Sequence, residues 1–317
     1  MIVQRASNLL KRLLAPRDGP IILMYHRVGA PPCDPAQLAV TADNLAQQIE
    51  ALKARRTIVP LGWLAERRAR GLPVDGTAVI TFDDGYADVL HNGLPVLARL
   101  DCPATIFLAT GTIGTVTNMW WDVLARLLLA SETLPAEIEV ALPGRRHRIA
   151  IEQGSARSRA RAYGWISEAV RPLVSAARDA VVEDLARQIR GGREDISSDR
   201  LMTPEEILQW HRKGMFDIGA HTVSHASLTA LPAAAQHAEI AESCRACAAL
   251  TGEAPTSFAY PYGHHDPRAV HAAASAGISA AVTTEKRKVR ASEHPLTLPR
   301  YYVGNWQADD FAMRLSL

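Results

Sequence analysis

Two consecutive aspartates, Asp83 and Asp84, end one apolar run of the chain, and a His-x-x-x-His pair, His221 and His225, follows another. Paired carboxylates at a strand end can divide their work, one binding a cation while the other takes a proton. Two imidazoles one turn apart add nitrogen ligands. Imidazole with carboxylate suits zinc and related divalent ions that keep a water in an open position. Such an ion brings the pKa of its water down towards ~7 and polarises a carbonyl, and a neighbouring carboxylate then acts as base. The chemistry implied is hydrolysis. Each part alone has a plainer reading, because an Asp pair also caps turns and an isolated H-x-x-x-H sits as readily on a surface. Their common placement at strand ends raises the pair above that.

The elements that must position these residues alternate. PIILMYHRV (Pro20 to Val28), TAVITFDD (Thr77 to Asp84) and PATIFLAT (Pro103 to Thr110) are short apolar runs bounded by turn formers and read as buried strands. Residues 43–53 and 92–100 have helical spacing between them, so strand, helix and strand imply parallel pairing. From about Gly111 to Leu201 the alternation lapses, and WWDVLARLLLA and RDAVVEDLARQIR point to a mostly helical insertion. It resumes at Thr203-Pro204-Glu205-Glu206, a capping box with proline at the first helical position. MFDIGAH, a helix over about 234–250, SFAYP, ISAAVTT and TLPRYYV follow. The fold expected is α/β, a distorted (β/α) barrel of about seven parallel strands over residues 20–317, with the insertion at about 111–201. Barrel chemistry sits at the C-terminal strand ends, where Asp83, Asp84, His221 and Pro261 to Gly263 all fall.

At these residues the chain resembles the polysaccharide deacetylases, the carbohydrate esterase family that includes chitin, peptidoglycan and nodulation-oligosaccharide deacetylases. The resemblance is carried by TFDDGY (Thr81 to Tyr86), HTVSH (His221 to His225) and FAYPYG (Phe258 to Gly263), with ILMYHRV and PATIFL in support. It implies that Asp84, His221 and His225 hold one divalent ion, zinc first, with cobalt, nickel or manganese acceptable. Asp83 is then the general base, and the backbone N–H of Tyr262 is the oxyanion donor beside the metal. Pro261, Tyr262, Trp121 and His26 are the expected substrate contacts. Two positions depart from the family pattern. Many relatives carry an arginine in the third motif, restraining the catalytic aspartate, where this chain has Ala259. Many use a histidine in a late L-x-H motif as general acid, and here the segment reads Leu298-Pro299-Arg300. His294, His264 and His265 are the substitutes in the neighbourhood.

The implied activity is removal of N-acetyl groups from GlcNAc-like units of a glycan or lipid-linked sugar, in cell-envelope glycan synthesis. The alternatives are a glycan-binding domain without turnover, and a deformylase or other amide hydrolase on a lipid- or nucleotide-linked sugar. Bulk properties limit the rest. With 35 basic against 33 acidic side chains in 317 residues, nothing suggests a phosphate-neutralising nucleic-acid binder. Basic clusters at 145–148, 157–161 and 286–290 read as solvated faces or as sites for an anionic ligand. Cys244 and Cys247 form a lone C-x-x-C, read as packed thiols. Residues 1–19 form an extension in which Ile2, Val3, Leu9, Leu10, Leu13 and Leu14 alternate with bases, an amphipathic pattern suited to peripheral membrane contact. Arg5, Lys11 and Arg12 interrupt any export signal. The expected location is the cytoplasm, or the inner membrane face.

Overall fold

The computed structural model describes residues 18–115, 118–190, 199–214 and 216–317. The proposed N-terminal amphipathic segment and Met215 lie outside the described residues. Strand β1 (Ile21–Tyr25) is buried along its whole length, as the uninterrupted run IILMY requires of a strand covered on both faces. Short strands β2 (Arg27–Val28) and β3 (Ala39–Val40) pair with each other. Helix α1 (Ala42–Lys53) starts where the Thr41 hydroxyl accepts from the Asn44 N–H, and it buries Leu45, Ile49 and Leu52. Then come β4 (Thr57–Ile58), α2 (Leu61–Ala69) and β5 (Thr77–Phe82). A π turn at Val89–Gly93 runs into α3 (Leu94–Arg99), followed by β6 (Thr105–Leu108).

The insertion opens with α4 (Trp120–Ala125) and continues as the antiparallel hairpin β7 (Glu137–Leu142) and β8 (Arg145–Ala150), then α5 (Ala156–Val170) and α6 (Ser175–Arg190). The hairpin was not foreseen. Ile138, Val140 and Leu142 alternate inward on β7, but β8 reads RRHRIA and is largely exposed, so its strand signal is masked by charge. Gln188 of α6 fastens the hairpin by exchanging hydrogen bonds with the Glu139 backbone at 3.0 and 2.8 Å.

The barrel resumes through α7 (Pro204–His211), whose capping box between Thr203 and Glu206 is formed as expected. Then follow β9 (Asp217–Ala220), α8 (Ala233–Thr251), β10 (Ser257–Ala259), α9 (Pro267–Ser275), β11 (Ala280–Val282), β12 (Tyr301–Tyr302) and α10 (Ala308–Leu315). The sheet order is β11-β10-β9-β6-β5-β1-β12, all parallel, with β4 beside the start of β5. The last stretch touches both ends: Leu298 bridges Val282 of β11, and Tyr301 registers with Leu23 of β1. The ring of seven strands closes there, a distorted (β/α) barrel.

Alternation along each strand sorts side chains into two layers. Ile21, Leu23, Ala78, Ile80, Ile106 and Phe258 face the surrounding helices. Ile22, Val79, Phe107, Ala259, Val282 and Leu298 meet inside the ring. Gly219 is required by this packing, since a Cβ there would lie 2.4 Å from Phe107 Cδ1. Cys244 and Cys247 are packed on α8, the Cys247 thiol pushed up to about 12 by burial. No helix among the described residues is long and apolar enough to cross a membrane.

Candidate active site

The inward layer carries the site. Continuing the alternation from Val79 through Thr81 turns Asp83 into the barrel mouth, and the same rule applied from Leu298 brings Arg300 in beside it, from two strands away. Arg300 is fully buried. Its Nη1 and Nη2 donate to Asp83 Oδ1 and Oδ2, each at 2.7 Å, a bidentate pair. Nη1 also donates to Thr81 Oγ1 at 2.9 Å and Nε to the Thr283 carbonyl at 3.0 Å. Burial alone would raise the pKa of Asp83, but Arg300 and then His221 reverse this and hold it below the usual carboxylate range. The arginine missing at position 259 is therefore supplied from the barrel-closing segment, at the position where the family pattern places a histidine.

Asp84 follows the strand with φ of 74°. Its Oδ1 lies 3.5 Å from His221 Nε2 and 3.3 Å from His225 Nε2. Tetrahedral zinc with bonds of about 2.0–2.1 Å places ligand atoms ~3.3 Å apart, so the spacing fits. Two further observations agree with a shared cation. Asp84 Oδ1 is buried with no hydrogen-bond partner. His221 Nδ1 lies 2.7 Å from the Ala259 carbonyl, which can only accept, so Nδ1 carries a proton and Nε2 is the nitrogen turned towards Asp84. Among the described residues this trio is the one group of His, Cys and acidic side chains with metal-ligand spacing. Burial raises the Asp84 carboxyl, and the two imidazoles more than cancel that, carrying it far below the usual range. Burial pushes His225 down to about 4, which leaves it neutral and able to coordinate.

The loop between the histidines is held by a residue that sequence reading did not single out. Glu239 of α8 accepts from the Val223 and Ser224 N–H groups, both at 2.9 Å, and from the Ser224 hydroxyl at 2.6 Å. Among the described residues, four of the seven non-glycine residues with positive φ are Asp84, Thr222, His225 and Tyr262. Backbone strain concentrated at one mouth is a mark of a preorganised site.

A cleft of about 340 Å³ opens over the trio. Asp83, Asp84, His221, His225, His26, Trp121 and Tyr262 all line it, as do Trp120, Tyr163 and Arg171. Pro261 sits buried in the turn behind Tyr262. Trp121 is mainly a packing residue, 9% exposed. Its ring lies 4.8 Å from that of His225, and its Nε1–H donates at 2.9 Å to the Tyr86 hydroxyl, which donates in turn to Asp122 at 2.6 Å. Tyr262 presents its ring to His225 at 4.7 Å. His264, His265 and His294 do not reach the cleft: His264 bonds Ser227, and the other two border a separate depression. His26 is the further histidine that does.

The sequence profile of the polysaccharide deacetylase family matches residues 72–139 and 178–281, more than half of the chain. No curated protein sequence matches it. Among solved structures, the deacetylase PplD of Streptococcus pyogenes, determined with acetate, superposes with a TM-score of 0.61 at 16% identity, over 95% of this chain and 99% of that one. A polysaccharide deacetylase from Bacillus cereus gives 0.59 at 17% identity, over 94% and 69%. IcaB from Ammonifex degensii gives 0.59 at 18% identity, over 93% and 94%. These likenesses speak for the fold, and with the profile match across both halves of the barrel the chain belongs to the polysaccharide deacetylase family.

Proposed function

We propose that this protein is a metal-dependent hydrolase that removes N-acetyl groups from GlcNAc-like units of a glycan or lipid-linked sugar. The observation that carries the reading is Asp83, ionised and clamped by Arg300 at the lip of a buried Asp84–His221–His225 trio. Asp84, His221 and His225 would hold the ion, zinc by donor type. When bound, it would activate a water and polarise the acyl carbonyl. Asp83 would act as the base towards the attacking water, and Arg300 keeps its carboxylate charged and fixed in direction. The Tyr262 backbone N–H, in the strained turn at φ 58°, is assigned to the developing oxyanion. Proton delivery to the departing amine falls to His26, which lines the same cleft. Trp120, Trp121 and Tyr262 supply the apolar faces a sugar ring needs.

An absent third-motif arginine and late histidine favour a glycan-binding domain without turnover; against that reading, Arg300 holds Asp83 in place of such an arginine. The decisive experiment is acetate release from N-acetylglucosamine oligomers by the purified protein, before and after chelation and with zinc restored. Acetate that stops on chelation and returns with zinc is expected. Acetate release indifferent to both would overturn the metal assignment. No acetate from protein holding one metal ion, on neutral and charged acceptors alike, would return the binding-domain reading.

A further inference from the structure

We propose that the cleft contains a cationic subsite, built on Arg171, that takes an anionic substituent of the sugar beside the acyl group; this rests on the hydrolase reading above. Arg171 stands at the end of α5, where Pro172 stops the helix, and lines the same cleft as Asp84, His221 and His225. Its guanidinium carbon lies 5.4 Å from the centre of the Tyr262 ring, which faces His225. An aromatic face attracts a cation without neutralising it. Among the described residues no carboxylate lies within ion-pair distance of Arg171, and its Nε is buried with no hydrogen-bond partner.

That separates Arg171 from the paired members of the basic clusters at 145–148 and 286–290. Arg146 and Arg148 pair with Glu137 and Glu139 across the hairpin, Arg287 with Glu285 and Glu293, and Lys288 with Asp18. A second guanidinium lies along the same aromatic wall. Arg178 is 4% exposed, donates from Nη2 to the Ser224 carbonyl at 3.0 Å and faces Asp179 at 3.4 Å. Its Nη1 is buried without a partner. It lies 5.9 Å from the Trp120 ring, and Trp120 Nε1–H donates to the Tyr262 hydroxyl at 3.3 Å. Two cations thus flank one aromatic wall. Of the nearby negative charges, Asp83 is paired with Arg300, and Asp84 faces the two imidazoles as a ligand of the ion in the reading above. Glu168, the other acid on the rim, does not pair with Arg171. A neutral glycan offers the Arg171 guanidinium only uncharged oxygens, whereas a phosphate or carboxylate on the sugar offers a stronger, charge-assisted bond between two ions. The substrate class indicated is an N-acetylated sugar bearing such an anion.

Calorimetric titration of the chelator-treated full-length protein with N-acetylglucosamine, N-acetylglucosamine 1-phosphate and N-acetylmuramic acid tests this. At least one charged sugar should bind about tenfold tighter than the neutral one, the weight of one charge-assisted bond, and lose that advantage as salt rises. Arg171→Gln should bring the ratio close to one, and Arg171→Lys should restore part of it. The responding arm identifies the anion as phosphate or carboxylate. Equal affinities in the parent protein, or a preference that survives Arg171→Gln, would overturn the subsite. Acetate release from the same sugars by the zinc-restored protein separates the two claims. Charged-over-neutral binding with no acetate from any sugar keeps the subsite and sinks the hydrolase. Acetate from all three with equal affinity and equal kcat/KM does the reverse.

Discussion

Replacing Arg300 by methionine removes both side-chain donors to Asp83 from a buried pair. Arg300 is 0% exposed and Asp83 is 3% exposed. Breaking a buried pair by deleting one partner costs about 3–5 kcal/mol, because the other charge is stranded. The cost here should depend on pH with a definite sign. In the parent protein the folded-state pKa of Asp83 lies below its unfolded value. Its contribution to stability is therefore full above the usual carboxylate range and lost only as pH falls through the depressed value. In Arg300→Met the largest remaining influence is burial, which raises the pKa. The carboxyl is then protonated in both states at low pH, and the penalty sets in as pH rises past ~4. It grows by about 1.4 kcal/mol per pH unit until the variant's own pKa is reached. Urea unfolding of chelator-treated protein at pH 5 and pH 8 reads this directly. The stability gap to the parent should widen towards pH 8, and in an Asp83→Asn background the widening should vanish. A gap that is the same at both pH values, or that narrows, would refute the account of Arg300 as the group that keeps Asp83 charged.

Further predictions follow from the same geometry. Gly263→Ala would place a Cβ 2.1 Å from Thr284 Oγ1 at a backbone φ of +72°; a loss of about 1–3 kcal/mol in thermal stability and a fall in kcat are expected, whereas Gly62→Ala, with open space, should be silent. Trp121→Phe strands the Tyr86 hydroxyl acceptor and loosens the packing on His225, so zinc affinity should drop about tenfold or more in a competition titration. Glu239→Ala frees the HTVSH loop and should weaken zinc binding by a similar factor while leaving the strand content seen by circular dichroism in place. Glu206, pulled down to about 2 by Arg200, loses its contribution to the α7 cap as pH falls from ~4.5 towards that value; being only partly buried it is worth under ~1 kcal/mol, and Glu206→Gln should flatten that part of the acid unfolding curve.

Much of the barrel could be read from the chain because its strands are covered on both faces, so IILMY, TAVITF and TIFL stand out as unbroken apolar runs ending in polar residues. The trio was legible for the same reason: Asp84 and His221 follow their strands immediately. Arg300 was not. It reaches Asp83 only because β1 alone separates β5 from β12 in the closed ring, a neighbourhood that no sequence spacing reveals. The inward alternation of Leu298 and Arg300 was the available signal. The β8 strand was hidden by its arginines, and Arg171 stayed anonymous because what distinguishes it is its place on the cleft wall without an ion-pair partner among the described residues, a property of packing. Of the conspicuous arginine runs, by contrast, Arg146, Arg148 and Arg287 pair with local glutamates.

The division of labour between Asp83 and its neighbour is the central claim, and metal content measured beside acetate release on the same preparations tests it most directly. Asp83→Asn should keep one metal ion per chain and lose acetate release by a factor of about 10² to 10⁴, while Asp84→Ala and His225→Ala should lose both. An Asp83→Asn protein that still releases acetate at the parent rate, or that loses its metal together with its activity, would contradict the assignment.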